Sequence, residues 1–121
     1  MAVTLLNVFI VPEHLEAEFL KNWQRSADRF SHTPGFIETH LHRNTGVGND
    51  TFRFINIARW ESAEAWHSSH AAHPPTEYAI PGVQGHPAIY ECIVDMEYQG
   101  DRTDVPPGRA EGDFFQRLRA S

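Results

Sequence analysis

The chain has 121 residues, enough for one domain with one core and too few for two. Its 16 acidic and 10 basic side chains give a net charge of -6, and the basic residues form no cluster, so the footprint of a nucleic-acid partner is missing and none is expected. Hydrophobic residues at 40% and aromatics at 12% predict a folded globular domain, and no apolar run approaches the roughly 20 residues of a membrane span.

The N-terminal stretch MAVTLLNVFIVPEH lacks the basic start and small-residue cleavage site of a signal peptide, so the expected location is the cytoplasm. Thr4–Val11 is rich in β-branched and aromatic residues and stops at Pro12, which predicts a first strand. From Glu13 the period changes: Leu15, Phe19, Trp23, Ala27 and Phe30 recur at spacings of four and three, the pattern of an amphipathic helix, until Pro34 and Gly35 break it. Phe36–Arg43 alternates as a second strand, NTGVGND is a turn, and Thr51–Trp60 is a third strand forming a hairpin with the second.

Ser62 is placed to cap a second helix over AEAWHSSHAAH, which Pro74 and Pro75 end. PPTEYAIPGVQGHP is predicted as a loop long enough to be functional, followed by a fourth strand over Ala88–Tyr98. Cys92, the only cysteine, lies in that alternating run and is expected as a small core residue; a single thiol excludes an internal disulfide and supports no thiolate metal site. Residues 1–99 form the expected domain, and 100–121 a polar C-terminal arm ending in a short helix at 112–119.

The order β-α-β-β-α-β is that of an α+β, ferredoxin-like fold, a four-stranded antiparallel sheet with both helices on one face. The first strand is apolar on both parities: Leu6, Val8 and Ile10 on one, Leu5, Phe9 and Val11 on the other. Two helices cover only one face, so the other predicts a homodimer packed sheet against sheet.

Within the third strand, Phe52, Phe54, Asn56, Ala58 and Trp60 share one parity, so an amide points the same way as two phenylalanines and a tryptophan. Buried without a hydrogen bond, that amide costs a few kcal/mol. Either it is satisfied inside the protein, or it is a donor kept for an enolate or phenolate oxygen in an apolar pocket. Trp60 and Trp66 are each readable as core or as ligand contact, and with Asn56 they form a candidate wall for a flat aromatic ligand.

His40 and His42 fall on the same side of the second strand, a spacing that suits two metal ligands or a base beside its helper; without a third ligand nearby, the base is favoured. His67, His70 and His73 cannot all share a helix face, because six residues leave the helix about 120° off a full turn. They read as a solvated polar face, and no HExxH spacing supports a metal site there. No GxGxxG, Walker or GxSxG pattern supports a nucleotide cofactor or an acyl-serine mechanism.

NVFIVPEHLEAEFLKNWQRSADRFSHTPGFIETHLHRN followed by FRFINIARWESAEAWHSSHAAHP resembles the antibiotic biosynthesis monooxygenase domain, over about Val3 to Tyr98. The hallmarks are PGF opening the second strand and the N-x-x-x-W-E-S of Asn56–Ser62. The resemblance implies a dimeric ferredoxin-like fold and, in several members, oxidation of phenolic polyketides to quinones by molecular oxygen with no cofactor. It assigns substrate binding and stabilisation of reduced oxygen to Asn56 and Trp60, and puts a histidine matching His42 in the same site; with the base favoured above, His42 is the residue expected to take the phenolic proton. Trp66 stands where those enzymes carry a tyrosine, and no Lys or Arg lies between Arg59 and Arg102 to supply their cationic contact. Trp23, Phe54, Trp66 and His40 are the expected substrate-binding surroundings.

The haem-degrading branch of that family pairs a first-strand asparagine, matched by Asn7, with a tryptophan and a histidine ligand, where this chain has Ser69 and roughly Ala79. The alternatives to a cofactor-independent oxygenase are therefore a haem-binding, haem-degrading enzyme and a non-catalytic dimeric binding module.

Overall fold

The computed structural model describes residues 1–73 and 79–100. The elements run β1 (Val3–Ile10), a 3-10 turn (Glu13–Leu15), α1 (Glu16–Phe30), β2 (Phe36–Arg43), β3 (Phe54–Trp60), α2 (Ala63–Ala72) and β4 (Gln84–Tyr90). The four strands form one antiparallel sheet in the order β2-β3-β1-β4. The ferredoxin-like arrangement expected from the sequence is the one observed. Both helices pack on one face. Phe19 of α1 sits with Phe54 and Val11, while Ala65 and Trp66 of α2 pack with Leu5, Ala58 and Trp60.

Three local features fix the helices on the sheet. Arg53 ties the entry of β3 to α1, its Nε donating to Glu16 Oε1 over 3.0 Å while its backbone N–H donates to Phe9 O. The Ser62 hydroxyl accepts from the Ala65 backbone N–H at 3.0 Å, the N-cap expected from its residue type. Gly35 has φ 91°, and a Cβ there would run into the Ala65 Cβ. Its carbonyl accepts from Glu61 N–H at 2.8 Å, so the start of β2 and the start of α2 are held in close approach that only glycine allows.

The strand boundaries differ from expectation at two places. β3 begins at Phe54, not Thr51; Asn44 draws the preceding segment into the hairpin loop by donating from Nδ2 to Asn49 O and Phe52 O. β4 spans Gln84–Tyr90, not Ala88–Tyr98. The register explains this: Tyr90 pairs with Thr4 and Gln84 with Ile10, so β1 ends as a partner just where the alternating run ECIVDMEY begins. Residues 91–99 carry no regular structure and are exposed, Cys92 among them, which corrects its expected place in the core. The predicted helix at 112–119, and the arm beyond residue 100, lie outside the described residues. None of the described helices is long and apolar enough to cross a membrane.

Candidate functional site

The sheet face under the helices carries Leu5, Asn7 and Phe9 from β1 and Asn56, Ala58 and Trp60 from β3, with Asn7 directly opposite Asn56. Over it lies a cavity of about 310 Å³, at the lower end of the roughly 300–1,000 Å³ usual for small-molecule sites. Trp23, Asn22 and Phe30 of α1 roof it, Trp66 and His70 of α2 close one side, and Ile80, Val83 and Pro87 close another. Among the described residues no Asp, Glu, Lys or Arg lines it.

Asn56 is 9% exposed and lies in this wall. Its Oδ1 accepts a hydrogen bond of 2.5 Å from the Thr39 hydroxyl on the neighbouring strand. That is the only side-chain hydrogen bond Asn56 makes among the described residues, so its Nδ2 retains both N–H donors. Of the two readings open in the sequence, the geometry combines parts of both: the carbonyl end is satisfied within the protein and the donor end is not. Asn7 is also unusual, because its Oδ1 is buried with no hydrogen-bond partner.

Trp60 is 2% exposed and held edge-on between Phe36 (5.4 Å between ring centroids) and Phe30 (6.3 Å). It lines the cavity by its ring. Its Nε1 is buried and unpartnered, so it contributes a wall rather than an accessible donor. Trp66 and Trp23 both line the cavity. Phe54 does not: it is 1% exposed and stacks on Phe19 at 4.9 Å, which makes it core beneath the site.

His40 and His42 share a side, as the alternation requires, but on the opposite face of the sheet, paired with Ile57 and Ile55. An irregularity between Phe36 and Glu38 causes this. Phe36 pairs with Trp60 and faces the helices, whereas Glu38 pairs with Arg59, so one inserted residue turns every later side chain of β2 over. His40 instead lies 3.8 Å from Glu38, which is 3.7 Å from Arg59. His42 is exposed and has no access to the cavity, which corrects its assignment as the base beside Asn56.

The histidine that does line the cavity is His70. Its ring lies nearly parallel to Trp66, with centroids 5.0 Å apart and 20° between planes. Burial pushes its imidazole below the ordinary value, and positive charge on His67 pushes the same way. His70 was expected on a solvated face; the signal that places it is its i, i+4 spacing from Trp66, which puts the two on one helix face.

A ferredoxin-like sheet with an aromatic, largely apolar cavity under two helices is the architecture of a small-molecule site. The chain belongs to the antibiotic biosynthesis monooxygenase family, whose profile matches residues 2–77. Among solved structures it is similar to a candidate monooxygenase from Shewanella loihica PV-4, at 29% identity and TM-score 0.69, over 78% of this chain and 96% of that one. SnoaB, a cofactor-independent oxygenase from Streptomyces nogalater, is 23% identical with TM-score 0.66 over 80% and 98% of the two chains, a likeness of fold. The haem-degrader MhuD from Mycobacterium tuberculosis, solved with two haems in its active site, is 25% identical with TM-score 0.59 over 78% and 99%. No curated protein matches the chain significantly.

Proposed function

We propose that this chain is a cofactor-independent monooxygenase that oxidises a flat phenolic or enolic aromatic, polyketide-like in shape, with molecular oxygen. The observation that carries the reading is the Asn56 amide, held by Thr39 at one end and with unengaged donors at the other, in the wall of an apolar cavity. In such surroundings an N–H dipole is poorly screened, so it stabilises charge developing on a substrate oxygen and on reduced oxygen. Trp23, Trp60 and Trp66 supply flat apolar surface for the rings.

The chemistry balances without a further reductant. Loss of the phenolic proton gives an anion that yields an electron to oxygen; the two radicals join as a peroxide on ring carbon. Cleavage of the O–O bond with loss of the C–H proton leaves a carbonyl and water. One oxygen atom enters the product, the other leaves as water, and the substrate supplies all the electrons.

The working unit in this reading is a homodimer. Leu6, Val8, Ile10, Ile55 and Ile57 place apolar side chains on the sheet face that the helices leave open, which supports face-to-face packing of two copies.

Anthrone, a tricyclic ketone whose enol is a phenol, tests the reaction. Wild-type protein is expected to consume one oxygen per anthraquinone formed, in the presence of a chelator and with no reductant. Oxidation no faster than in buffer refutes the oxygenase. A haem-degrading reading draws on the position of Asn7 in the same cavity and on the likeness to MhuD; it requires a Soret shift on titration with haemin, which is not expected here. Turnover absent with both, alongside ligand binding, leaves the binding module.

A further inference from the structure

We propose that His70 is the catalytic base of this site, taking the proton from the substrate's phenolic oxygen; the proposal rests on the oxygenase reading above and supplies the group that reading needs. Proton removal must precede electron transfer, because the neutral phenol holds its electrons far more tightly than the anion. Among the described residues that line the cavity, His70 is the only one whose side chain titrates in the range where enzymes work. The strands offer two amides and a hydroxyl, Asn7, Asn56 and Thr39, and α1 offers Asn22 and Ser26. None of these accepts a proton at neutral pH.

The position of His70 suits the task. Its ring lines the cavity and is held against Trp66 by nearly parallel stacking, which fixes the imidazole in the wall beside the aromatic surface offered to a planar guest. The site keeps that ring neutral and therefore able to accept: burial disfavours the charged form, and the one charge identified as acting on it is that of His67 on its own helix. His73, which caps the end of that helix, packs edge-on against Phe30 instead. No charged side chain faces it across the cavity from α1, from the strands or from the described segment after residue 78. Proton movement then closes on itself. The imidazole takes the phenolic proton, becomes imidazolium, and returns the proton to the terminal peroxide oxygen; the O–O bond breaks as the C–H proton leaves, releasing water.

Two substitutions and two probes test this. His70→Phe keeps a ring against Trp66 without a nitrogen, and His70→Gln keeps polarity without basicity; each variant is first checked for unchanged thermal unfolding at pH 8. With anthrone, both are expected to lose roughly 10²- to 10⁴-fold in rate, as removal of a general base does. Both should also lose the acid limb of the wild-type pH profile, which lies below the ordinary imidazole value. The second probe, 2-naphthol, reports ionisation by a shift of absorption to longer wavelength and needs no turnover. Bound to wild type it should ionise at lower pH than in water, and in both variants at a higher pH than in wild type. Retained rate and acid limb in the variants overturn the proposal. So does naphthol ionisation that is unshifted in wild type or unchanged by substitution. If wild type fails to oxidise anthrone but its naphthol shift depends on His70, the oxygenase reading fails and the proton acceptor stands. A haemin Soret band abolished by His70→Phe assigns the imidazole to iron and overturns it.

Discussion

Thr39 does not donate into the cavity in this structure, yet its removal should slow the reaction. Its hydroxyl gives the one hydrogen bond that fixes which end of the Asn56 amide faces inward. With Thr39→Val the carbonyl end loses its partner and the amide rotates between two orientations, only one of which presents the donors. A neutral hydrogen bond is worth about 0.5–1.5 kcal/mol, so the donor-inward orientation should fall from roughly 70–93% of the population to about half, and the rate by up to about 2-fold. Asn56→Ala removes the donors outright and should cost roughly 10²- to 10³-fold, the range for losing one oxyanion donor. The decisive measurement is the double variant: once the amide is gone, Thr39→Val has nothing left to orient and should change the anthrone rate no further. Equal effects of Thr39→Val with and without Asn56 would refute the orienting role. An unaltered rate in Asn56→Ala would refute the donor role itself.

Three further outcomes follow from the packing. Phe54→Ala should destabilise the fold by about 3–5 kcal/mol, measured by urea unfolding, because it empties a fully buried site stacked on Phe19; a loss of activity with unchanged stability would put Phe54 in the site after all. Gly35→Ala should cost at least about 2 kcal/mol, combining positive φ with contact against Ala65, and a thermal midpoint equal to wild type contradicts the close approach described. Because the folded state lowers the His70 value from 6.5, its contribution to stability is full above that pH and is lost as the pH falls through the folded value. The stability of His70→Phe should therefore fall less steeply than that of wild type as the pH drops below 6.5, and parallel curves in calorimetry would show that His70 is not shifted.

The sequence carried the element order and the sidedness of β3, since Phe54, Asn56, Ala58 and Trp60 alternate without interruption. It also carried the Ser62 cap. It did not carry the sidedness of β2: the same alternation read from Phe36 puts His40 and His42 on the helix face, and the irregularity that reverses them has no residue signature in FIETH. β4 was misplaced because ECIVDMEY alternates as a strand should, while the extent of a strand is set by how far its neighbour runs, a fact held elsewhere in the chain. The spacing of three among the α2 histidines hides the place of His70; the informative spacing is the four residues back to Trp66. The hydroxyl that fixes the amide was out of reach for the same reason as β2, since Thr39 meets Asn56 only after the strand turns over.

The cavity is assembled from two kinds of material. Its floor belongs to strands locked by neighbouring ladders, and that floor holds the amides and the hydroxyl that touch polar atoms. Its upper boundary comes from one stripe of α1, the last turns of α2 and the segment around Ile80, whose side chains can be exchanged without breaking a single inter-strand bond. His70 apart, the outline of the guest and the groups that meet its oxygen are thereby set by separate parts of the chain. A lineage built on this plan can change what it accepts by altering the ceiling around one retained imidazole while inheriting the same donors from the ground beneath it.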